Sequence, residues 1–237
     1  MFFPMVGGYG TYLLFSLPAL LLGLWAQAKV KGAFQKYSQV RSFVGLSGAD
    51  IARKMLNANG LNNVNVVEGG GMLSDNYDPG GKVLHLSSET YRGVSISAAG
   101  VAAHEAGHAL QDQQGYVPMH IRSAIVPAVQ IGSWLGPIIF MLGLFFSSVV
   151  GTQVAWLGII IFSATAVFAL VTLPVELDAS RRAKEWLASS GVLYQSEMEG
   201  INRVLDAAAW TYVAGAIQAV STVLYYVFLL SGSRRRN

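Results

Sequence analysis

The chain has no cysteine and few charged residues. Without cysteine it contains neither disulfide bonds nor thiolate metal ligands. Charged residues make up 12% of the 237 residues and apolar residues 53%, whereas an ordinary soluble domain carries about 25% charged residues. The basic residues are scattered and do not alternate with aromatic residues, so we expect no nucleic-acid partner. This composition indicates an integral membrane protein that contacts lipid.

Four apolar segments are long enough to cross the hydrocarbon core of a bilayer, which takes about 20 residues. They run over residues 11–28, 124–150, 154–173 and 207–230. Pro127 and Pro137 lie inside the second segment, and neighbouring helices can cover the carbonyl groups that such prolines free. We expect the third segment to stop at Pro174. The first segment is followed, not preceded, by basic residues, which predicts an uncleaved anchor and not a signal peptide.

The basic residues also predict an orientation. All except Arg234, Arg235 and Arg236 lie within residues 29–122 and 174–206. A hairpin formed by the second and third apolar segments would return both regions to one side of the membrane. The positive-inside rule makes that side cytoplasmic. The C-terminal basic tail does not fit this orientation, because four full spans would place it on the opposite side.

The region between the first two apolar segments is polar and predicts a small α+β subdomain. Residues 49–58 have the pattern of an amphipathic helix with Ile51, Met55 and Leu56 facing inward. We expect strands at residues 64–68 and 82–87, with turns at residues 69–71 and 75–81. An edge strand in this sheet would let an extended peptide add to it through backbone hydrogen bonds.

One motif in this region predicts chemistry. His104 and His108 stand four residues apart with Glu105 between them, in the pattern H-E-x-x-H. On a helix over residues 94–112, four residues advance the chain by about 400°, so both imidazoles lie on one face and can bind one metal ion. Glu105 is then free to act as general base on a water molecule that the metal activates. The alternative, two core histidines on an ordinary buried helix, leaves Glu105 without an explanation.

A catalytic zinc site commonly has three protein ligands and one open position. His85 and His120 are candidates for the third ligand, but Glu176 is favoured because a carboxylate beside an apolar span is costly unless it meets a partner. Asp178 is a candidate for orienting a ligand histidine. The alternative for Glu176 and Asp178 is a plain charge near the N-terminus of a helix.

Peptide hydrolysis would also need a group that stabilises the oxyanion of the transition state. The sequence does not choose among four weak candidates, which are Tyr212, Tyr91, His85 and Arg181.

Four blocks of the chain, at residues 73–79, 101–111, 174–183 and 204–214, resemble the YugP-like membrane neutral zinc metallopeptidases of bacteria. The resemblance covers nearly the whole chain. It implies a membrane-embedded zinc protease in which His104, His108 and Glu176 bind the metal and Glu105 is the base.

A more distant resemblance is to HtpX-type membrane zinc proteases, whose third-ligand glutamate is followed by an aspartate four residues later. Here Asp178 is only two residues after Glu176, and Ser180 holds the fourth place.

We therefore predict a mainly α, multi-span helical membrane protein with a small α+β zinc-protease subdomain built around the H-E-x-x-H helix. Its five segments are a first transmembrane helix (1–28), a cytoplasmic protease subdomain (29–123), a transmembrane hairpin (124–173), a cytoplasmic helical segment with the third ligand (174–206), and a fourth transmembrane helix with the basic tail (207–237). The expected function is hydrolysis of protein or peptide substrates, with one zinc ion per chain, at the cytoplasmic face of a bacterial plasma membrane. The alternative is a zinc-stabilised membrane scaffold without turnover.

Overall fold

The computed structural model describes residues 9–71, 74–146 and 148–234, which form seven α-helices and three short strands. The helices are α1 (Tyr9–Ser38), α2 (Gly48–Ala58), α3 (Ser88–Arg92), α4 (Ile96–Gln113), α5 (Val117–Phe145), α6 (Val149–Ser189) and α7 (Met198–Arg234). The strands are β1 (Asn65–Gly69), β2 (Asn76–Asp78) and β3 (Val83–Ser87), and a 3-10 turn over Gln195–Glu197 precedes α7. The chain is therefore mainly helical with a small sheet, as predicted. Leu73 of the first family-like block, and Arg235 and Arg236 of the basic tail, lie outside the described residues.

Helices α1, α5, α6 and α7 are each long and apolar enough to cross a membrane, which confirms the prediction of four such segments. The helix itself does not end at Pro174, where the apolar segment was expected to stop, because α6 continues to Ser189. A proline removes one backbone hydrogen bond, but packing holds the helix beyond it, where Val175 and Ala179 are fully buried. Helix α7 likewise extends beyond the predicted apolar segment, since it begins at Met198.

The contacts divide the chain into two compact units. The first, which we call the helical unit, comprises the described parts of residues 1–25, 121–173 and 212–237. Its main buried cluster is small and consists of Phe140, Ala155, Ile159 and Leu230. Helices α5 and α6 approach so closely here that a Cβ atom added at Gly158 would lie 2.3 Å from the backbone nitrogen of Phe140. Small residues of this kind are typical of packed membrane helices.

The second unit, which we call the site unit, comprises residues 26–120 and 174–211. Its core is much larger and is built by α2, the sheet, α4 and the parts of α6 and α7 within this unit. Helix α2 begins with a capping box in which Ser47 and Asp50 satisfy each other's backbone N–H groups. Ile51, Met55 and Leu56 are fully buried, as the amphipathic pattern predicted.

The sheet of the site unit has the strand order β1-β3-β2, in which β3 pairs parallel with β1 and antiparallel with β2. The prediction that residues 75–81 are only turn is wrong, because Asn76–Asp78 forms β2. This strand is held by its pairing with β3, from Asn76 opposite His85 to Asp78 opposite Val83. Tyr77 between them is buried against the core.

Candidate metal centre

The helix that carries the H-E-x-x-H motif begins at Ser95, whose hydroxyl accepts a hydrogen bond from the backbone N–H of Ala98. Small residues let α4 lie against the C-terminal part of α6. A Cβ atom added at Gly107 would lie 2.7 Å from the carbonyl oxygen of Ala179, so only glycine fits at this crossing. This close approach places one turn of α4 directly against the turn of α6 that carries Glu176.

The structure brings His104, His108 and Glu176 together, with one possible ligand atom from each within 4.8 Å of the others. The Nε2 atom of His104 lies 3.2 Å, and that of His108 3.5 Å, from Oε2 of Glu176. Glu176 is 3% exposed, and the two rings meet edge to face with their centroids 4.8 Å apart. Two imidazoles and a carboxylate that converge in this way match the ligand set of a zinc site.

The other ring nitrogen of each histidine has its own partner. Nδ1 of His104 is 3.0 Å from the hydroxyl oxygen of Ser180, and Nδ1 of His108 is 2.9 Å from Oε1 of Gln111. Such outer hydrogen bonds fix the orientation of metal-binding imidazoles. The donor set therefore fits a metal ion, because the outer contacts leave both Nε2 atoms directed at Glu176.

Glu105 lies between the two histidines on α4 and is 9% exposed. Burial raises the pKa of its carboxyl above the ordinary value; the histidine charges oppose this shift, while Glu176 and Asp75 add to it. Burial alone would lower the pKa of His108, but its hydrogen bond to Glu176 and the charge of Glu105 outweigh burial and raise that pKa. The site is thus a buried group of coupled acids and bases, which is typical of functional sites.

Glu176 and Asp178 both lie inside α6, so the alternative that they stand at the start of a helix is wrong. Asp178 accepts hydrogen bonds from Gln111, at 2.9 Å, and from Arg181 and Arg182. Its contact with the histidine pair therefore runs through Gln111.

The other predicted residues lie in varied surroundings. Arg181, an oxyanion candidate, forms ion pairs with Asp178 and Glu185 on its own helix. His85 is half-buried on β3, Tyr91 packs against the core from α3, and His120 is exposed on α5. Tyr212 lies on α7 in the helical unit. Neither His85 nor His120, the other candidates for the third ligand, is part of the group of possible metal ligands found among the described residues.

Sequence reasoning missed Gln111 altogether and gave Ser180 no contact with a histidine. Helical spacing places Gln111 on the same face as His108, three residues after it, and Ser180 on the same face as Glu176, four residues after it. Helical spacing does not show that α4 packs against α6. This packing brings Ser180 into contact with His104 across the two helices.

Comparison with known proteins adds a family to this geometry. Residues 12–231 match the protein-family model described as "Putative neutral zinc metallopeptidase". The chain belongs to this family. The "Putative membrane protease YugP" of Bacillus subtilis (strain 168) is 43% identical over 226 residues, which is 95% of this chain and 99% of the relative. No solved structure matches the chain.

Proposed function

We propose that this family member is an integral membrane zinc metalloendopeptidase that cleaves peptide bonds of proteins or peptides. The observation that carries the proposal is the convergence of His104, His108 and Glu176 beside the buried Glu105. A site that served only to hold the fold would need no neighbouring base and is normally closed by four protein ligands.

His104, His108 and Glu176 would hold one zinc ion per chain. When bound, zinc polarises the carbonyl group of a peptide and makes water a better nucleophile near neutral pH. The hydrogen bonds that join the histidine Nδ1 atoms to Ser180 and Gln111 support this role, since they leave both Nε2 atoms available.

Glu105 is the proposed general base. Its carboxylate takes a proton from the attacking water and then gives that proton to the leaving amine of the cleaved peptide. The raised pKa of Glu105 suits both steps, because a more basic carboxylate takes the proton more readily and still releases it to an amine.

The substrate peptide is proposed to bind in an extended conformation along β2. Among the described residues this strand lies at an edge of the sheet, where its backbone can pair with an added strand. Asp75, directly before β2, is near enough to Glu105 to influence its charge state. This charge effect supports β2 as the strand along which the peptide binds.

The proposed orientation places residues 29–122 and 174–206 on the cytoplasmic face of a bacterial plasma membrane. The grouping of His104 with Glu176 supports a common side for both regions, and the basic residues favour the cytoplasm. Topology reporters fused at Gly70 and at Ser190 should both give a cytoplasmic signal. Opposite signals from the two fusions would contradict the proposed orientation.

The experiment that tests the proposal compares Glu105→Gln with Glu176→Gln in the full-length chain. Glu105→Gln keeps the size of the side chain but removes the base, so we expect retained zinc and a rate about a hundred- to ten-thousand-fold lower. Glu176→Gln should lose zinc first and activity as a consequence.

The zinc content of each variant is measured, together with its initial rate on one unfolded protein substrate. Glu199→Gln, at an exposed position, is the matched control. If Glu105→Gln cleaves at the wild-type rate with zinc bound, Glu105 is not the base. If wild type holds zinc but cleaves neither unfolded nor membrane proteins, the protein is a zinc-stabilised membrane scaffold and not a protease.

A further inference from the structure

Gln111 is a fully buried amide whose polar atoms all have partners. Its Oε1 lies 2.9 Å from Nδ1 of His108, and its Nε2 donates hydrogen bonds to the carbonyl oxygen of Val175 and to Oδ2 of Asp178. A buried amide without these partners would be costly. This single side chain thereby joins the histidine helix α4 to the part of α6 that carries Glu176.

The two contacts with α6 fix which way the amide faces. The carbonyl oxygen of Val175 lies 2.8 Å away and the carboxylate of Asp178 2.9 Å away, and both groups can only accept hydrogen bonds. Ion pairs with Arg181 and Arg182 keep Asp178 in its charged, accepting form. An inverted amide would place an oxygen against two oxygens and lose both bonds, so the NH2 group must face α6.

It follows that only the amide oxygen can face His108. An amide oxygen accepts and cannot donate, so Nδ1 of His108 must be the donor. We propose that Gln111 is a positioning residue that keeps a proton on Nδ1 of His108, so that in the neutral ring Nε2 is the nitrogen left for a metal ion. This inference rests on the proposed function, which makes Nε2 of His108 a metal ligand.

His104 provides an internal contrast. Its Nδ1 atom contacts the hydroxyl of Ser180 at 3.0 Å, and a hydroxyl can donate or accept by rotating. Ser180 therefore orients the ring of His104 without choosing its tautomer. The two histidines differ accordingly. The Nδ1 proton of His108 is fixed before a metal ion binds, whereas the tautomer of His104 can change when the ion binds.

The direct test replaces Gln111 with methionine, which has a similar length but cannot form these hydrogen bonds. Two quantities are measured on the full-length chain: the zinc dissociation constant by chelator competition, and the ring nitrogen signals of His108 by 15N NMR after zinc removal, with the ring neutral. We expect zinc binding about ten- to a hundredfold weaker. We also expect one His108 tautomer in wild type and a mixture in Gln111→Met.

Ser180→Ala is the matched control for the NMR measurement. It removes the outer hydrogen bond of the neighbouring histidine but leaves the Gln111 amide and its partners in place. The His108 signals of Ser180→Ala should therefore show the same single tautomer as wild type.

A second pair of variants tests the inference without changing the buried Gln111. Asp178→Asn keeps an oxygen that can accept from Gln111, whereas Asp178→Leu removes it and leaves only the Val175 carbonyl to orient the amide. Asp178→Leu should populate the second His108 tautomer and weaken zinc binding, and Asp178→Asn should stay close to wild type.

The inference is overturned if Gln111→Met or Asp178→Leu folds, binds zinc as wild type does and keeps the single His108 tautomer. A wild-type chain that binds no zinc at the histidine pair would instead refute the proposed function. The two failures are distinguishable, because the nitrogen signals of the metal-free chain report the effect of Gln111 with or without zinc binding.

Discussion

The exposed large apolar side chains lie mainly in the helical unit, whereas the larger buried core lies in the site unit. Ile160, in the middle of the apolar part of α6, is 66% exposed. In the site unit, by contrast, Ile51, Leu84 and Leu86 are fully buried in one continuous core. The difference is the one expected of the proposed integral membrane protein, in which the exposed apolar surface of the helical unit suits lipid and the buried core of the site unit suits water.

Both units nevertheless use glycine to bring two helices close together. Gly158 lets α6 approach Phe140 of α5 in the helical unit, and Gly107 lets α4 approach Ala179 of α6 in the site unit. In the first case close packing replaces the hydrophobic driving force that lipid does not supply. In the second it brings the motif histidines to Glu176, so the same kind of contact should have different consequences when it is disturbed.

The largest effect is expected from Gly107→Ala. The added methyl group would lie 2.7 Å from the backbone oxygen of Ala179, which cannot rotate away, so α4 and α6 must separate. A displacement of about 1 Å can cost on the order of a hundredfold in rate, and we expect that loss together with weaker zinc binding. Rate and zinc dissociation constant are measured on the purified chain.

Gly100→Ala on the same helix is the control. The atoms nearest to its methyl group would belong to the side chains of Ile201, at 3.4 Å, and Leu205, at 4.0 Å. Alanine favours a helix over glycine by about 1 kcal/mol, so this variant should keep full activity and gain stability. Equal loss of activity in both variants would contradict the role given to the close approach at Gly107.

The sequence predicted those features that depend on local spacing. The four-residue step between His104 and His108 predicts one helix face, and the structure places both rings there. The amphipathic pattern of α2 and the length of the four apolar helices are likewise local properties. The identity of the metal ligands and of the base stays a prediction.

Features that depend on a distant partner could not be predicted. Strand β2 forms because it pairs by backbone hydrogen bonds with β3. The polar, turn-forming residues 75–81 give no sign of that pairing. Helix α6 passes Pro174 because buried contacts on the far side compensate for the missing hydrogen bond. Gln111 acquires its role only when α6 presents Val175 and Asp178 to it.

The proposed difference in solvent predicts a large loss at one exposed apolar position and almost none at another when each is replaced by a charged residue. Ile160→Lys would place a charge in the middle of a membrane span, at a cost of about 2.5–3.5 kcal/mol on insertion scales. Phe43→Lys changes a side chain that is 78% exposed in the site unit, where surface substitutions usually alter stability by less than about 0.5 kcal/mol. Membrane-inserted yield and thermal stability are measured for both, and similar losses would show that the two surfaces face the same solvent.

Gly158→Ala should produce a smaller and purely structural effect. Its methyl group would lie 2.3 Å from the backbone nitrogen of Phe140, which forces α5 and α6 apart at a cost of about 1–3 kcal/mol. We expect a lower unfolding temperature in detergent with an unchanged zinc content. Gly23→Ala, where the added methyl group meets nothing within 4 Å, is the matched control and should not be destabilised.

The smallest effect concerns pH and should appear only in the site unit. Asp112 near the end of α4 accepts hydrogen bonds from Tyr77 of β2, at 2.6 Å, and from Lys82. Burial raises the pKa of the Asp112 carboxyl, but these two donors outweigh burial and bring the pKa below its ordinary value. A group with a lowered folded-state pKa stabilises the fold above its unfolded pKa, about 3.9, and loses that contribution as the pH falls through the folded value.

Asp112→Asn should therefore destabilise the chain near neutral pH and have little effect in acid. Because Lys82 is nearly half exposed, water screens the pair, and we expect about 1 kcal/mol at pH 7. The free energy of unfolding of wild type and variant is measured across the acid range. Gly158→Ala serves as the comparison, since its loss comes from a steric contact and should be the same at every pH. A pH-independent loss in Asp112→Asn would mean that the contact between α4 and β2 depends on shape and not on the charge of Asp112.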